Sequence, residues 1–244
     1  MRKRSARATD TGQRTTIRDR RGPAARRIGI FGGTFDPIHV GHLRSAEEAR
    51  ERLGLDVVLF IPTADPPHKA RRLAPAAHRL AMVRLALAGN AGFRVSPIEI
   101  ERAGRSYTID TLRALRERLP PDTALTLLIG LDAFRDIGTW KDYRTLFSLA
   151  DLAVWSRPPH DFAAPLDLLP VAARGDFCYG RNDKTLRHRT GTHIRFVTVT
   201  ALDISASAIR QRLLRGQSIR YLVPPTVERY LRRHRLYVGR HGES

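Results

Sequence analysis

The sequence has little cysteine and no long apolar segment. Cys178 is the single cysteine, which excludes an intrachain disulfide and suits a reducing compartment. No apolar run approaches the roughly 18 to 20 residues that span a bilayer, and no apolar segment follows the basic start as it does in a secretory signal. We therefore expect a soluble, cytoplasmic protein that has no membrane partner.

Acidic residues are scarce, and the basic excess is unevenly distributed. The 244 residues include 43 Lys and Arg against 24 Asp and Glu, a net charge of +19. Residues 1–27 hold ten basic residues and two Asp, so this segment carries +8 and the rest of the chain +11. Because the segment lacks aromatic and nearly all large apolar residues, we expect residues 1–26 to be a disordered tail. Nucleic-acid binding by the tail, or a downstream start codon, is the alternative explanation.

Residues 27–42, which read RIGIFGGTFDPIHVGH, combine a short apolar strand, a glycine turn and two histidines. The β-branched and aromatic residues predict a buried strand, and Gly32-Gly33 lets the chain turn close to a ligand. Helix-forming residues from Leu43 to Leu53 end at Gly54, a typical C-cap. His39 and His42 should therefore share one side of the helix start, where free N–H groups favour an anion.

Two less specific interpretations of this stretch stay open on the residues alone. A Gly-Gly turn after a strand is common in α/β proteins, and the glycine spacing matches neither a Walker A loop nor G-x-G-x-x-G. The histidine pair could also bind zinc, although it lacks a nearby cysteine and an H-E-x-x-H spacing.

The rest of the chain alternates apolar strands with helix-forming segments, which predicts an α/β fold with a doubly wound, mostly parallel sheet. Further strands are expected at 56–61, 93–96, 98–100, 124–129, 150–155 and 193–199, and further helices at 75–88, 109–119 and 203–215, with a last helix that ends near residue 237. We interpret residues 160–193 as a variable loop with a weak helix at 166–173.

Polar residues follow several of these strands, where ligands bind in open α/β sheets. The proline-rich loop 62–69 ends in His68 and Lys69. Ser106 or Thr108 could cap the following helix, and Ser205 or Asp203 could cap a later one. Ordinary capped helices and a solvated lysine are the alternatives.

Taken together, these segments resemble the nucleotidyltransferase superfamily and, within it, the bacterial nicotinate-nucleotide adenylyltransferases. The resemblance covers residues 27–238 and rests on GGTFDPIHVGH, PPHK, SYT, IGLD, GTWK and ISASAIR. The chain departs from the family pattern at Ser156 and Pro159 around Arg157, and at Ala206. Phosphopantetheine adenylyltransferase shares the first and last motifs but not PPHK, SYT and GTW together; a basic nucleic-acid-binding protein is the non-enzymatic alternative.

The resemblance implies a Rossmann-like nucleotidyltransferase fold in one domain, residues 27–238, with a short tail at 239–244. It implies adenylyl transfer from ATP to nicotinate mononucleotide in NAD biosynthesis, with Mg²⁺ bridging the ATP phosphates and no metal ligand from the protein. The implied catalytic residues are His39, His42 and Arg210. The implied ATP site adds Gly32, Gly33, Thr34, Phe35, Gly130, Asp132, Ser205 and Ser207. The implied mononucleotide site comprises Lys69, Ser106, Tyr107, Thr108, Trp140 and Arg157.

Overall fold

The computed structural model describes residues 27–66, 73–102, 104–156, 164–200 and 202–238. Its strands are β1 Arg27–Gly33, β2 Val57–Pro62, β3 Phe93–Val95, β4 Ala124–Gly130, β5 Asp151–Ser156, β6 Phe177–Tyr179, β7 Thr185–His188 and β8 His193–Thr198. Its α-helices are α1 Val40–Leu53, α2 Ala76–Leu87, α3 Ile98–Glu101, α4 Thr108–Arg118, α5 Leu131–Arg135, α6 Tyr143–Leu149, α7 Val171–Arg174, α8 Ala206–Leu214 and α9 Pro225–Arg233.

The strands form one sheet in the order β3-β2-β1-β4-β5-β8-β7-β6. The first six are parallel, and β7 and β6 add an antiparallel edge. The predicted doubly wound, mostly parallel sheet is confirmed. Because the strand order reverses between β1 and β4, a crevice for a ligand is expected at the carboxyl ends of these two strands.

Helices cover both faces of the sheet, and β1 contributes to both cores. Ile28 and Ile30 pack in the core that includes α4 and α6, while Phe31 packs in the core that includes α1, α2, α8 and α9. This alternation follows from the two-residue period of a strand. β1 is therefore packed on both faces, and the turn that follows it is held by Phe35 and Ile38 in the core that includes α1.

Two local predictions are wrong. Residues 98–100 form a helix and not a strand, because Pro97 precedes the first turn, and the Glu101 N–H donates to the Pro97 carbonyl at 2.9 Å. The variable loop expected at 160–193 contains a 3-10 helix at Pro165–Leu168, α7 and the β6-β7 hairpin. An I-E-I alternation is too short to separate helix from strand, and three- or four-residue edge strands carry little sequence signal.

Residues 1–26 and 239–244 lie outside the described residues, so the disordered tail, its nucleic-acid binding and the domain boundaries stay predictions. Within the described ranges, no helix combines the length and the apolar character that crossing a membrane requires.

Candidate active site

Gly33 lets the ring of Phe35 pack against the backbone in the turn after β1. A Cβ atom on Gly33 would lie 2.9 Å from the ring of Phe35, closer than side chains pack. Phe35 itself has a left-handed φ of 49°, which is rare for a bulky residue and recurs at functional turns. Its ring is buried against Phe31 and lies 5.2 Å from the ring of His42. Phe35 can therefore meet a nucleotide only through its backbone.

The two histidines lie together at the start of α1. His39 is the N-cap residue and His42 the third helical residue, and their rings stack with centroids 3.6 Å apart. The His39 backbone N–H donates to His42 Nδ1 at 3.2 Å, so neutral His42 carries its proton on Nε2, where it can donate to an anion. A Cβ atom on Gly41 would lie 3.0 Å from His39 Nδ1, which explains the glycine between the histidines.

The start of α8 lies beside the start of α1. The Gly41 Cβ position is 3.7 Å from the carbonyl oxygen of Ile204, which leads into α8. Ser205 caps α8 by accepting from the Ala208 N–H at 3.2 Å, and Ser207 Oγ lies 3.2 Å from Ser205 Oγ. Both serines are exposed, so their hydroxyls and the helix N-terminus can receive an anion.

Arg210 joins the two helix starts through Asp36, a buried residue whose chemical role the sequence did not reveal. Arg210 Nη1 donates to the Asp36 carbonyl at 2.6 Å and lies 3.5 Å from Asp36 Oδ2. Asp36 Oδ1 accepts from the Ala74 N–H at 3.1 Å and from the Tyr237 hydroxyl. Burial and the hydrogen bond to Asp36 raise the pKa of Tyr237 far above its ordinary value, so Tyr237 remains a donor. The only sequence signal for this cluster is an acid inside a glycine-rich turn.

A cavity of about 170 Å³ opens at the predicted crevice between the ends of β1 and β4. Its lining brings together part of the expected ATP site and part of the expected mononucleotide site: Gly32, Gly33, Thr34, Ser106, Thr108 and Trp140. Its walls are otherwise mostly apolar, as in small-molecule sites.

Ser106 and Tyr107 hold the α4 side of the cavity in place. Ser106 Oγ accepts from the Ala64 N–H at 2.9 Å, and the Ser106 N–H donates to the Asp65 carbonyl at 3.0 Å. Neither predicted cap of α4 is correct, because Tyr107 occupies the N-cap position and makes no side-chain cap bond. Thr108 is the first helical residue, so the N–H groups of α4 begin at the cavity wall.

Glu99 is an unforeseen acidic residue in the cavity wall. It is 5% exposed, and its Oε1 accepts from the Thr111 hydroxyl at 2.6 Å. Burial raises the pKa of Glu99, although hydrogen bonds from Thr111 and Ser106 and the charge of Arg102 oppose the rise. Residues 98–100 were predicted to form a strand and Glu99 was assigned no role, so its place in the cavity was missed.

The remaining expected site residues lie at the edge of this arrangement or outside the described chain. Gly130 is the N-cap of α5, and the side chain of Asp132 is fully exposed, 3.9 Å from Arg135. Lys69 and Arg157 fall outside the described residues, so their roles stay predictions.

Comparisons with known proteins agree with this geometry. The family model described as cytidylyltransferase-like matches residues 30–212. A protein from Syntrophotalea carbinolica, named "Probable nicotinate-nucleotide adenylyltransferase", is 50% identical over 214 residues, which cover 86% of this chain and 97% of that protein. A Geobacter sulfurreducens protein of the same name is 49% identical over 212 residues, covering 86% and 98%.

A solved structure shares the fold. It is the Plasmodium falciparum nicotinic acid mononucleotide adenylyltransferase complexed with NaAD, with a TM-score of 0.66 at 17% identity over 87% of this chain and 97% of that one. Because the family model covers most of the chain and the bacterial relatives match over nearly their whole length, the chain belongs to the cytidylyltransferase-like family and, within it, to the nicotinate-nucleotide adenylyltransferases.

Proposed function

We propose that the protein transfers the adenylyl group of ATP to nicotinate mononucleotide, giving deamido-NAD and pyrophosphate in NAD biosynthesis. The observation that carries this proposal is the meeting of two half-sites at the end of β1. The Gly32-Gly33-Thr34 turn lines the same cavity as Ser106, Thr108 and Trp140. The histidine pair and the start of α8 lie beside that turn.

The reaction needs no nucleophile or strong base from the protein. The acceptor is a phosphate monoester, which is already anionic at neutral pH. One of its oxygens attacks the α-phosphorus of ATP, a new P–O bond forms, and the bond from the α-phosphorus to the oxygen that bridges to the β-phosphorus breaks. The electron pair of that bond leaves with pyrophosphate. Catalysis then consists of alignment and stabilisation of charge, and alignment alone supplies up to about 7 to 11 kcal/mol.

We assign the charge-stabilising roles to the groups at the two helix starts. His42 donates from Nε2 to the transferring α-phosphoryl group, while His39 orients the His42 ring through its backbone N–H. Arg210, Ser205 and Ser207 bind the β- and γ-phosphates at the start of α8. As its place in sequence at the end of the proline-rich loop 62–69 suggests, Lys69 binds the acceptor phosphate.

The mononucleotide is proposed to lie in the cavity with its pyridine ring on Trp140. The N–H groups at the start of α4 receive its carboxylate, because a helix N-terminus favours an anion. Tyr107 is the N-cap residue of that helix, and Arg157, the residue after β5 in sequence, is assigned to the same site. Gly130 and Asp132 lie at the end of β4, where they reach the ribose of ATP.

The donor set suits Mg²⁺ that is held mainly by phosphate oxygens and water. No cluster of three or more His, Cys, Asp and Glu suited to a metal occurs in the described ranges, and the Asp36 carboxylate is engaged by Ala74, Tyr237 and Arg210. Mg²⁺ bound to ATP supplies neutralisation of the charge that develops on pyrophosphate. We also propose a cytoplasmic location, which the exposed thiol of Cys178 fits.

Release of pyrophosphate from ATP tests the acceptor. We expect nicotinate mononucleotide to give a higher kcat/KM than nicotinamide mononucleotide or pantetheine phosphate. A higher value for pantetheine phosphate would favour the runner-up enzyme, and a higher value for the amide would assign the wrong acceptor.

The variant His42→Ala tests the catalytic assignment. We expect turnover to fall by about two to three orders of magnitude while the protein stays folded, since an aligned donor to the transition state is lost. His193→Ala is the matched control. His193 is the first residue of β8, so it lies at the amino ends of the parallel strands, and the site lies at their carboxyl ends. Wild-type turnover by His42→Ala would contradict the assignment.

A further inference from the structure

Arg79 on α2 is a cation buried deep behind the site. It is 1% exposed, and its guanidinium donates four hydrogen bonds to backbone carbonyls. Nε reaches Ala74 at 3.0 Å, Nη1 reaches Thr34 at 2.9 Å and Thr63 at 2.6 Å, and Nη2 reaches Ala64 at 3.0 Å. Backbone oxygens thus satisfy every nitrogen of the side chain.

These carbonyls belong to three separate segments around the cavity. Thr34 lies in the turn after β1, Thr63 and Ala64 lie in the loop after β2, and Ala74 precedes α2. Thr34 and Thr63 both line the cavity, so Arg79 Nη1 bridges two of its walls from behind. Ala64 and Ala74, which lie on either side of residues 67–72 in sequence, therefore both accept hydrogen bonds from the same guanidinium.

A second side chain holds the same loop from the α4 side. The Ala64 N–H donates to Ser106 Oγ, while the Ala64 carbonyl accepts from Arg79. The loop after β2 is thereby held between the residue that begins the SYT motif and the guanidinium. Any change in the Arg79 contacts should pass directly to the spacing between Thr63 and Ser106 in the cavity wall.

Among the residues that the structure describes, no carboxylate lies within 4.0 Å of the Arg79 guanidinium, and burying such a charge is an expensive way to gain stability. Several kcal/mol are lost on desolvating a charge, and well-packed apolar residues often replace buried charges at no cost. What the guanidinium offers is its planar fork, which orients several acceptors at once; a lysine ammonium has no such geometry. Two of the four acceptors, Thr34 and Thr63, line one cavity, so the spacing of these two walls is what the buried charge determines.

We propose that Arg79 is a positioning residue for the acceptor substrate. It sets the separation of the Thr34 and Thr63 walls and so the fit of the mononucleotide between them. This inference rests on the function proposed above. Among the described residues, Arg79 donates directly to Thr34, Thr63 and Ala64 around the cavity. It reaches the Asp36–Arg210 pair only through Ala74, whose N–H donates to Asp36 Oδ1, so acceptor binding should suffer more than ATP binding.

The test compares Arg79→Lys with Arg116→Lys. Arg116 also donates only to backbone carbonyls, with Nε and Nη2 at 3.0 and 2.6 Å from the Leu149 oxygen and Nη1 at 2.7 Å from the Thr123 oxygen. Those residues lie at the amino ends of β4 and β5, away from the cavity. Both variants keep the charge and lose the fork, but Arg79 is buried and Arg116 is half-buried, so Arg79→Lys should lose more thermal stability.

Kinetics then separate positioning from stability. For Arg79→Lys we expect the KM for nicotinate mononucleotide to rise about tenfold or more, since a small displacement of a binding wall is enough to produce this. Its KM for ATP should change by less than about threefold, and Arg116→Lys should keep wild-type constants. An unchanged acceptor KM in Arg79→Lys would overturn the proposal, as would failure of this variant to fold when Arg116→Lys folds.

Amide hydrogen exchange gives a readout that needs no substrate. The N–H groups of Thr63, Ala64 and Ala74 are bonded to Gly33 O, Ser106 Oγ and Asp36 Oδ1, respectively. Arg79→Lys should accelerate exchange at all three, and Arg116→Lys at none. Unchanged exchange would overturn the proposal. If the wild type does not adenylylate nicotinate mononucleotide, the proposed function fails, and the exchange result alone decides whether Arg79 positions these walls.

Discussion

Replacing Tyr237 by phenylalanine removes one hydroxyl from the buried cluster that holds Arg210. The hydroxyl donates to Asp36 Oδ1, and Asp36 is only 2% exposed. A hydrogen bond to a charged acceptor contributes about 1.5 to 3 kcal/mol. Because the Ala74 N–H and Arg210 still engage the carboxylate, we expect the free energy of unfolding to fall by about 2 kcal/mol. At the size of this domain, that loss lowers the Tm by about 4 to 8 °C.

Urea unfolding followed by circular dichroism measures the loss as a lower midpoint at an unchanged slope. Tyr230→Phe is the control, since the Tyr230 hydroxyl lies 2.9 Å from an imidazole nitrogen, His78 Nδ1, and not from a carboxylate. Loss of this hydrogen bond should lower the free energy of unfolding by only about 1 kcal/mol. Tyr237→Phe should also raise the KM for ATP, because Asp36 orients Arg210. The control should leave that KM unchanged.

The pH dependence of stability adds an independent test of the cluster. Folding raises the pKa of Tyr237 above its ordinary value of 10.0. The protonated form therefore contributes stability that is fully present below pH 10.0 and is lost as the pH rises further. Tyr237→Phe should lack this alkaline loss. A wild-type midpoint in Tyr237→Phe, or an identical alkaline loss in both proteins, would refute the role given to the hydroxyl.

Three further substitutions probe other parts of the site. Ser205→Ala removes the α8 cap, so it should lower the free energy of unfolding by about 1 kcal/mol and also weaken ATP binding. Ser207→Ala should weaken ATP binding alone. Urea midpoints and ATP titrations distinguish the two variants. Folding raises the pKa of Glu99 above its ordinary value of 4.5, so the wild type loses stability as the pH rises from 4.5 through the folded-state pKa. Glu99→Gln should lack this loss when the free energy of unfolding is measured from about pH 4 to 8. Gly41→Ala places a Cβ 3.0 Å from His39 Nδ1, so it should displace that ring and lower kcat at nearly wild-type Tm; an unchanged kcat would contradict the tight fit.

The central part of the fold could be predicted from local patterns. Buried parallel strands are continuous apolar runs, and the glycines and helix caps around 27–54 agree with one another, so β1 and α1 were placed correctly. Residues 98–100 and the β6-β7 hairpin were not, because segments of three or four residues carry no reliable period. The expected residues at the end of β1 and the start of α4, together with Trp140, do line one cavity, and this cavity lies where the parallel strands end.

The supports behind the site could not be predicted in this way. Asp36 and Tyr237 are 201 residues apart in sequence, and Arg79 reaches carbonyls 5 to 45 residues away. No periodicity or motif spacing encodes such pairings. Every residue also has a backbone carbonyl, so the sequence does not indicate which carbonyls accept from Arg79. These contacts depend on how the loops are folded over the sheet.

Labelled ATP tests the proposed group transfer most directly. The protein is incubated with Mg²⁺, nicotinate mononucleotide and ATP labelled at the α-phosphate, and the products are separated and identified by mass. The label should appear in deamido-NAD in equimolar amount with released pyrophosphate, and His42→Ala should remove most of it. Label found in free AMP, or in a product formed only with pantetheine phosphate, would contradict adenylyl transfer to nicotinate mononucleotide.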